Sequence, residues 1–314
     1  IDRQFLEQSI EMDPRTTTSE HCESMLGLGF NRVSLGVQDT NEKVLKSIQR
    51  SQPLELITKV INDLKKSGVE LFNLDLIYGL PFQTTESIKG TINDILNFRP
   101  TRLALYSYAH VPSLKPSQKR LERDGLPTAE EKMRIQGIAR EMLIGAGYFE
   151  IGMDHFALPS DSLYKSFQKK ELHRNFMGYT VQRSKVLLGL GPSSLSDAWT
   201  AFAQNEKDYR KWREDILSNN YSLINGHVLS AQELFKRKKI LNLMCEFETE
   251  ILPSDLSAGQ QQKINMLISD QLLIQTPRTL KSTELGKQFI RNICMAIDDS
   301  FENPPTNNIY SKTV

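Results

Sequence analysis

The chain has 314 residues, 39% hydrophobic and 25% charged, an ordinary balance for a soluble globular protein. That length buries a sizeable core and makes one large domain plus a smaller one. Thirty-nine basic residues against 38 acidic leave a net charge of +1. This offers no broad field to nucleic acid or a membrane surface, so an anionic ligand must meet a local cluster.

No apolar run reaches the roughly 20 residues of a membrane helix. The three cysteines, Cys22, Cys245 and Cys294, stand far apart without paired spacing. They argue against a disulfide framework and fit a reducing, cytoplasmic compartment. The chain opens at Ile1 without an initiator methionine and reaches its first strand within about ten residues, which leaves a leader upstream open. The closing FENPPTNNIYSKTV reads as a polar natural terminus.

Strand and helix patterns alternate from the start. Ser9–Asp13 reads as a strand ended by Pro14, and helix Ser19–Leu28 follows, closed by Gly29. Arg32–Gln38 is the next strand, with helices Asn41–Ile48 and Leu54–Lys66 after it, the latter closed by Gly68. Strand Leu71–Ile77 runs into Tyr78-Gly79-Leu80-Pro81, helix Thr85–Asn97 follows, and Arg102–Tyr108 is a fourth strand. Helix Ala129–Ala146 and a weaker strand, Phe149–Met153, complete the series.

Strands joined by helical crossovers imply parallel βαβ units, hence an open sheet or a barrel. Parity separates the two. Ile10, Met12, Val33, Leu35, Val37, Phe72, Leu74 and Leu76 share one face; Ser9, Glu11, Arg32, Ser34, Gly36, Gln38, Asn73 and Asp75 share the other. A sheet covered by helices on both sides would be apolar on both. A closed eight-stranded barrel fills its lumen with branched aliphatics. A polar inner face therefore predicts a wider, partly open α/β barrel with a polar ligand inside; the alternative is that these groups satisfy one another.

From about Glu206 the pattern becomes helical: Glu206–Asn219, Ala231–Cys245, Ala258–Ser269, a hairpin in LLIQTPRTLKST, and Glu284–Ile297. The boundary is placed at Trp212, giving a barrel domain over 1–212 and a winged-helix-like domain over 213–314. A DNA-binding role needs a basic recognition helix, and Gln260-Gln261-Gln262-Lys263 does not supply one. A lid or packing module suits it better.

Barrel function sits at the C-terminal strand ends. These carry Glu11 and Asp13, Gln38 and Asp39, Asp75 with the Gly79-Leu80-Pro81 turn, and Tyr106 through His110. Asp13 and Asp39 read as helix caps. Glu11 and Asp75 have inner-face parity and read as ligand contacts.

The stretches SIEMDP, FNRVSLGVQDTN, NLDLIYGLP and YSYAHVP, then GMDHFALP, LHRNFMGYTVQ and LLGLGPSSLS, resemble the oxygen-independent coproporphyrinogen III oxidases. These are radical S-adenosylmethionine enzymes of haem biosynthesis. The resemblance implies a partial (β/α)6-type barrel with a helical C-terminal domain, a 4Fe-4S cluster and two S-adenosylmethionine molecules per active site. On it, Glu11, Ala109 and Leu195 match contacts to the molecule on the cluster, with Leu195 where relatives often have Ile. Gln38, Arg50 and Asp75 match contacts to the second molecule. Read without the family, Arg50 is a solvated surface arginine.

The family's CxxxCxxC motif is absent, and the three cysteines read as buried helical thiols. The expectation is a sequence lacking its first barrel strands, with the cluster ligands upstream and with little activity by itself. The resemblance further implies that a 5′-deoxyadenosyl radical takes a hydrogen from a substrate propionate. Two decarboxylations then convert coproporphyrinogen III to protoporphyrinogen IX. An electron donor for the cluster and a final electron acceptor are implied partners; a monomer without nucleic-acid or membrane partners is expected. The rival is the haem-chaperone branch of the superfamily, which carries an S-R-H-N and Y-W stretch where this chain has HRNFMGYTVQ.

The four propionates of such a substrate need cations. His173 and Arg174, beside aromatic Phe176 and Tyr179, suit them, with His155 as a further wall residue. The alternative pairs Arg174 with an acid such as Asp154. With this cysteine spacing the chain is expected to assemble no 4Fe-4S centre on anaerobic reconstitution. A stable 4Fe-4S absorption and paramagnetic-resonance signature would contradict that reading.

Overall fold

Local chemistry sets the helix ends of the first half. Its elements are β1 (Ser9–Met12), α1 (Ser19–Gly27), β2 (Arg32–Gln38), α2 (Glu42–Ser47), α3 (Leu54–Lys66), β3 (Leu71–Tyr78) and α4 (Thr85–Phe98). Then come β4 (Arg102–Ser107), α5 (Lys119–Arg123), α6 (Ala129–Gly145), β5 (Phe149–Gly152), β6 (His155–Ala157) and α7 (Ser162–Gln168). Thr18, Thr84 and Thr128 open α1, α4 and α6 with capping boxes, and Asn41 caps α2. Gly29 and Gly68 follow α1 and α3 at φ +91° and +88°, left-handed positions that cost glycine nothing sterically. The structure, a computed structural model, describes residues 7–298, which form two compact units dividing between Lys165 and Ser166.

In the first unit the strand order is β1-β2-β3-β4-β6-β5, with β1 to β4 parallel. β6 runs antiparallel to β4, and β5 antiparallel to β6. Phe149–Met153 is therefore the edge of a hairpin and not the next parallel unit. Only Met153 and Asp154 separate β5 from β6, and Met153 takes φ 49°. So short a link can only turn the chain back, since a parallel neighbour needs a crossover.

One sheet face forms the core. Val33, Leu35, Val37, Phe72, Leu74, Leu76, Leu103 and Leu105 are buried there. Against them pack Ile57, Ile61 and Leu64 of α3, Ile88, Ile92 and Ile95 of α4, and Ile135 and Leu143 of α6. Each such side chain contributes about 1.5–3 kcal/mol on burial. On the other face Ser34, Gly36, Asn73 and Asp75 are only half-buried. Leu71 and Ile77, at the ends of β3, share this second parity, so the polar face is less uniform than the sequence pattern suggests.

Charge closes the N-terminal end of that face. Arg32 and Arg102, the first residues of β2 and β4, reach Asp161 at 3.0 and 2.7 Å. Glu7 meets the same two arginines at 3.1 and 3.2 Å. Burial alone would raise the Asp161 pKa, but the Arg102 and Arg32 charges outweigh it and hold the carboxyl below its ordinary value.

In the second unit come β7 (His173–Asn175), β8 (Gly178–Thr180), β9 (Leu195–Asp197), β10 (Ala201–Asn205), α8 (Tyr209–Leu217), β11 (Leu223–Val228) and α9 (Ala231–Glu246). β12 (Glu248–Glu250), α10 (Ala258–Ser269), β13 (Leu273–Gln275), β14 (Thr279–Ser282), α11 (Glu284–Gln288) and α12 (Ile290–Ile297) complete it. The strands form a β7–β8 hairpin and two three-stranded sheets, β11-β10-β9 and β12-β14-β13. The expected hairpin in LLIQTPRTLKST is β13–β14, while the expected Glu284–Ile297 helix is broken at Phe289 into α11 and α12.

Packing divides the chain earlier than Trp212. Tyr179 Oη donates to the Met244 carbonyl at 2.8 Å, and Arg237 pairs with Asp197, so the strands after Lys165 pack on α9. The expected polar tail beyond Asp298 lies outside the described residues. Among the described residues no helix is long and apolar enough to cross a membrane.

Removing one partner from a buried charge network leaves the others uncompensated. Asp161→Asn is expected to cost about 3–5 kcal/mol of stability at pH 7 in urea unfolding. A depressed carboxyl stabilises above its unfolded pKa, and that contribution is lost as pH falls through the folded value. The deficit should therefore shrink towards pH 3, and equal stabilities at pH 7 would contradict the assignment.

Candidate cofactor site on the polar sheet face

Strand register places the polar side chains in rows. Glu11 stands beside Ser34 and Ser34 beside Asn73. One step along, Gly36 stands beside Asp75, Asp75 beside Ala104, and Ala104 beside His155. The Tyr106 ring meets the His155 ring edge-on at 5.9 Å.

Asp75 is the centre of this face. Its Oδ2 accepts from Ser34 Oγ at 2.8 Å, and its Oδ1 accepts from Asn73 Nδ2 at 2.8 Å. Asn73 Nδ2 also donates to Ser34 Oγ at 2.9 Å, while Asn73 Oδ1 is buried without a hydrogen-bond partner. Burial, reinforced by the Glu11 charge and opposed by the Ser34 and Asn73 bonds, pushes the Asp75 pKa up to about 6. The site therefore carries acceptors that lack donors.

At the C-terminal rim, β2 slips register between Gly36 and Gln38, and Gln38 takes φ 70°. Its amide folds over Gly36: a Cβ there would lie 2.8 Å from Gln38 Nε2. Arg50 Nη2 donates to the Gly36 carbonyl and to Asp13 Oδ1, the latter at 3.1 Å, and Nε donates to Gln52 Oε1 at 3.0 Å. Arg50 is thus a positioned rim residue and not the solvated arginine its sequence context suggests.

Asp13 and Asp39 cap no helix, because Thr18 and Asn41 hold those positions. Asp13 pairs with Arg15 and Arg50. Asp39 is fully buried and accepts from the Asn41 amide, Thr91 Oγ1 and Gln83 Nε2 at 2.7, 2.6 and 2.6 Å. Gln83 Oε1 in turn accepts the Gly79 amide at 2.7 Å, tying the ends of β2 and β3 together. Gly79 sits at φ +83°, and the Lys132 stem lies 2.6 Å from where its Cβ would be. Lys132 Nζ donates to the Tyr108 carbonyl at 3.1 Å.

Glu11, Gln38, Arg50 and Asp75 thus come together around Gly36. Ala109 is exposed in the loop after β4, its carbonyl accepting from Gln118 Nε2 at 3.0 Å. His155 joins the same face of the first unit by register. Leu195, His173 and Arg174 belong to the second unit. Leu195 lies on β9, where a Cβ on Gly189 would stand 2.7 Å from its carbonyl oxygen. Burial, with the Arg183 and Arg237 charges, lowers the His173 pKa. Arg174 lies over the Tyr179 ring at 4.8 Å, with Nη1 buried and without a hydrogen-bond partner.

Parity marked Ser34 and Asn73 but gave them no role, and Arg174's stacking needs the β7–β8 register. Gln83 and Lys132 had no sequence signal, since an amide in a turn and a lysine on a helix look solvated.

The α/β sheet agrees with the radical S-adenosylmethionine class, and the model described as Radical SAM superfamily matches residues 3–95. The chain is 33% identical to the oxygen-independent coproporphyrinogen III oxidase of Escherichia coli over 98% of this chain and 69% of that protein. With the same-named protein of Thermostichus vulcanus it shares 34% identity over 98% of both chains. The solved coproporphyrinogen III oxidase of Escherichia coli superposes with a TM-score of 0.88 at 34% identity, covering 94% of this chain and 70% of that one. The chain belongs to the oxygen-independent coproporphyrinogen III oxidase family, whose radical chemistry uses a 4Fe-4S cluster and S-adenosylmethionine.

The polar face fits S-adenosylmethionine: an ammonium and ribose hydroxyls are donors, and Asn73 Oδ1, Asp75 and Glu11 are acceptors. The thiols do not fit the cluster. Cys22 is core, and burial pushes Cys245 and Cys294 up to about 12, against the thiolate a metal needs. Among the described residues no group of three His, Cys, Asp or Glu side chains is placed to hold a metal.

A raised carboxyl pKa makes the native state bind a proton more tightly between about 4 and 6, so stability falls as pH rises through that window. Asp75→Asn removes the effect. Its change in stability should be more favourable at pH 8 than at pH 4, by up to about 3 kcal/mol. Thermal or urea unfolding at the two pH values checks this, and a shift of opposite sign would contradict the burial of Asp75.

Proposed function

We propose that this chain carries the S-adenosylmethionine and substrate sites of an enzyme that converts coproporphyrinogen III to protoporphyrinogen IX. The observation that carries the reading is the convergence of Glu11, Gln38, Arg50 and Asp75 around Gly36 in a member of this family. When bound, S-adenosylmethionine and the 4Fe-4S cluster supply one-electron chemistry. Each of two rounds removes a hydrogen atom from a propionate β-carbon, an electron and carbon dioxide, leaving a vinyl group. A donor for the cluster and a final electron acceptor complete the balance.

Two S-adenosylmethionine molecules are assigned to the site. Glu11, Ala109 and Leu195 contact the first; Gln38, Arg50 and Asp75 contact the second. Glu11 and Asp75 accept from ammonium or ribose groups, and Arg50, held by Asp13 and the Gly36 carbonyl, presents its remaining guanidinium edge to a carboxylate. Because the three thiols do not suit a cluster, its ligands are assigned to cysteines outside this sequence.

Substrate propionates are assigned to Arg174, with His173 and His155 as further contacts. His173, its pKa lowered, acts as a neutral hydrogen-bond partner. Function is divided at Trp212, with 1–212 carrying the cofactor contacts as far as Leu195 and 213–314 forming a helical, winged-helix-like domain. The protein is assigned to the cytoplasm as a monomer without nucleic-acid or membrane partners.

The test uses the gene product carrying both this sequence and the cluster cysteines. Glu11→Gln and Asp75→Asn should each lower 5′-deoxyadenosine release at least about tenfold while the cluster spectrum is retained, a loss of about 1.4 kcal/mol or more in transition-state stabilisation. Wild-type release in both variants would remove the assignment.

A further inference from the structure

The second unit contains a cavity of about 400 Å³ that the cofactor contacts above do not use. Its floor is one face of the β11-β10-β9 sheet, where Asp197 stands beside Phe202 and Phe202 beside His227. Arg237, Ile240 and Met244 of α9 line the opposite side, and Arg174 and Phe176 of the β7–β8 hairpin close one end. Phe176 and Phe202 meet edge-to-face at 5.2 Å. The walls are mainly apolar and aromatic.

Its charged groups are not equally available. Arg237 pairs with Asp197, donates to the Trp199 carbonyl at 2.8 Å, and lies over the Trp199 and Phe202 rings at 4.5 and 4.8 Å. Asp197 also accepts the Trp199 amide at 2.8 Å. Glu233 is held down to about 2 by the Ser230 amide, the Ser230 hydroxyl and His227, which it meets at 2.7 Å. These four groups are engaged with one another in pairs. Lys236 and Asp298 also line the cavity, with opposite charges. Arg174 differs: its guanidinium stacks on Tyr179, and Nη1 is buried without a hydrogen-bond partner. A buried charged N–H left unmet costs free energy that an anionic oxygen would recover.

The cavity also lies close to the proposed cofactor contact. Leu195 is two residues from Asp197 on β9 and beside Gln204, so it shares the cavity's sheet face about 7 Å along the strand. At about 400 Å³ the space is at the small end of ligand cavities, which run about 300–1,000 Å³. It suits part of a tetrapyrrole and not the whole.

We propose that this cavity is an anchoring subsite for one propionate-bearing pyrrole of the substrate, with the carboxylate on Arg174 and the pyrrole packed against the touching Phe176 and Phe202 rings. The inference rests on the substrate reading above and deepens it: one propionate is held while another is presented for reaction. Arg237 is a positioning residue that fixes the Phe202 ring.

The test is fluorescence titration of the protein with coproporphyrin III and with its tetramethyl ester, in wild type, Arg174→Met and Arg174→Lys. Methionine keeps an unbranched stem over Tyr179, and unfolding curves establish that both variants are folded. Arg174→Met should weaken coproporphyrin III binding ten- to a hundredfold, and Arg174→Lys by less, since lysine keeps the charge but not the fork. The ester should bind wild type as weakly as Arg174→Met binds the acid, and should be indifferent to the substitution. Equal affinity of wild type for acid and ester, or of folded Arg174→Met and wild type for the acid, would overturn the subsite alone. No complex between wild type and coproporphyrin III would overturn the substrate reading and the subsite together.

Discussion

Every second side chain of β2 and β3 leaves the core, and what it meets on the far side governs the first unit. The apolar set is met by α3, α4 and α6. The other set is polar, and polar groups in a half-buried place need partners. Ser34, Asn73 and Asp75 supply some of these to one another, yet Asn73 Oδ1 stays unmet and Asp75 holds its proton to about pH 6. A face arranged this way is stable but incompletely satisfied. The completing donor is assigned to the ligand.

The two ends of the face treat charge differently. At the N-terminal end Arg32, Arg102, Asp161 and Glu7 pair closely, with both arginines and Asp161 buried. That end is closed by ion pairs. At the C-terminal end Arg50 is tethered to an Asp13 side chain that is 31% exposed, and Gln38 adopts a left-handed backbone costing about 1 kcal/mol to lay its amide over Gly36. The bulge that carries Gln38 also re-aims the end of β2. The asymmetry follows from the fold: parallel strands deliver all their C-terminal ends to one side.

Much of this was legible before the structure. Closing glycines, helical patterning and period-two alternation placed α1 to α4, α6 and β1 to β4 within a few residues, because each signal is local; α5 was missed. The β5–β6 reversal was not legible, since strand direction depends on pairing that a four-residue pattern does not encode. The short strands β7 to β11 were missed because three to six residues carry too little periodicity, and with them the packing division after Lys165. At the site, parity singled out Glu11 and Asp75. Resemblance alone supplied Arg50, whose role depends on a carbonyl, Gly36, distant in sequence. Asp13 and Asp39 were mistaken for caps because an aspartate after a strand suits both a cap and an ion-pair or amide network.

The central claim is that Asp75 faces a cationic group of bound S-adenosylmethionine. Titration calorimetry of S-adenosylmethionine binding, repeated in buffers of different ionisation enthalpy, tests it directly. A carboxyl with a pKa of about 6 in the free protein is half-protonated at pH 6 and becomes ionised beside a cation. Binding should then release about half a proton at pH 6, where the ligand's α-amino group is already fully protonated. Binding heats that are independent of buffer at pH 6, or that show proton uptake there, would contradict the account.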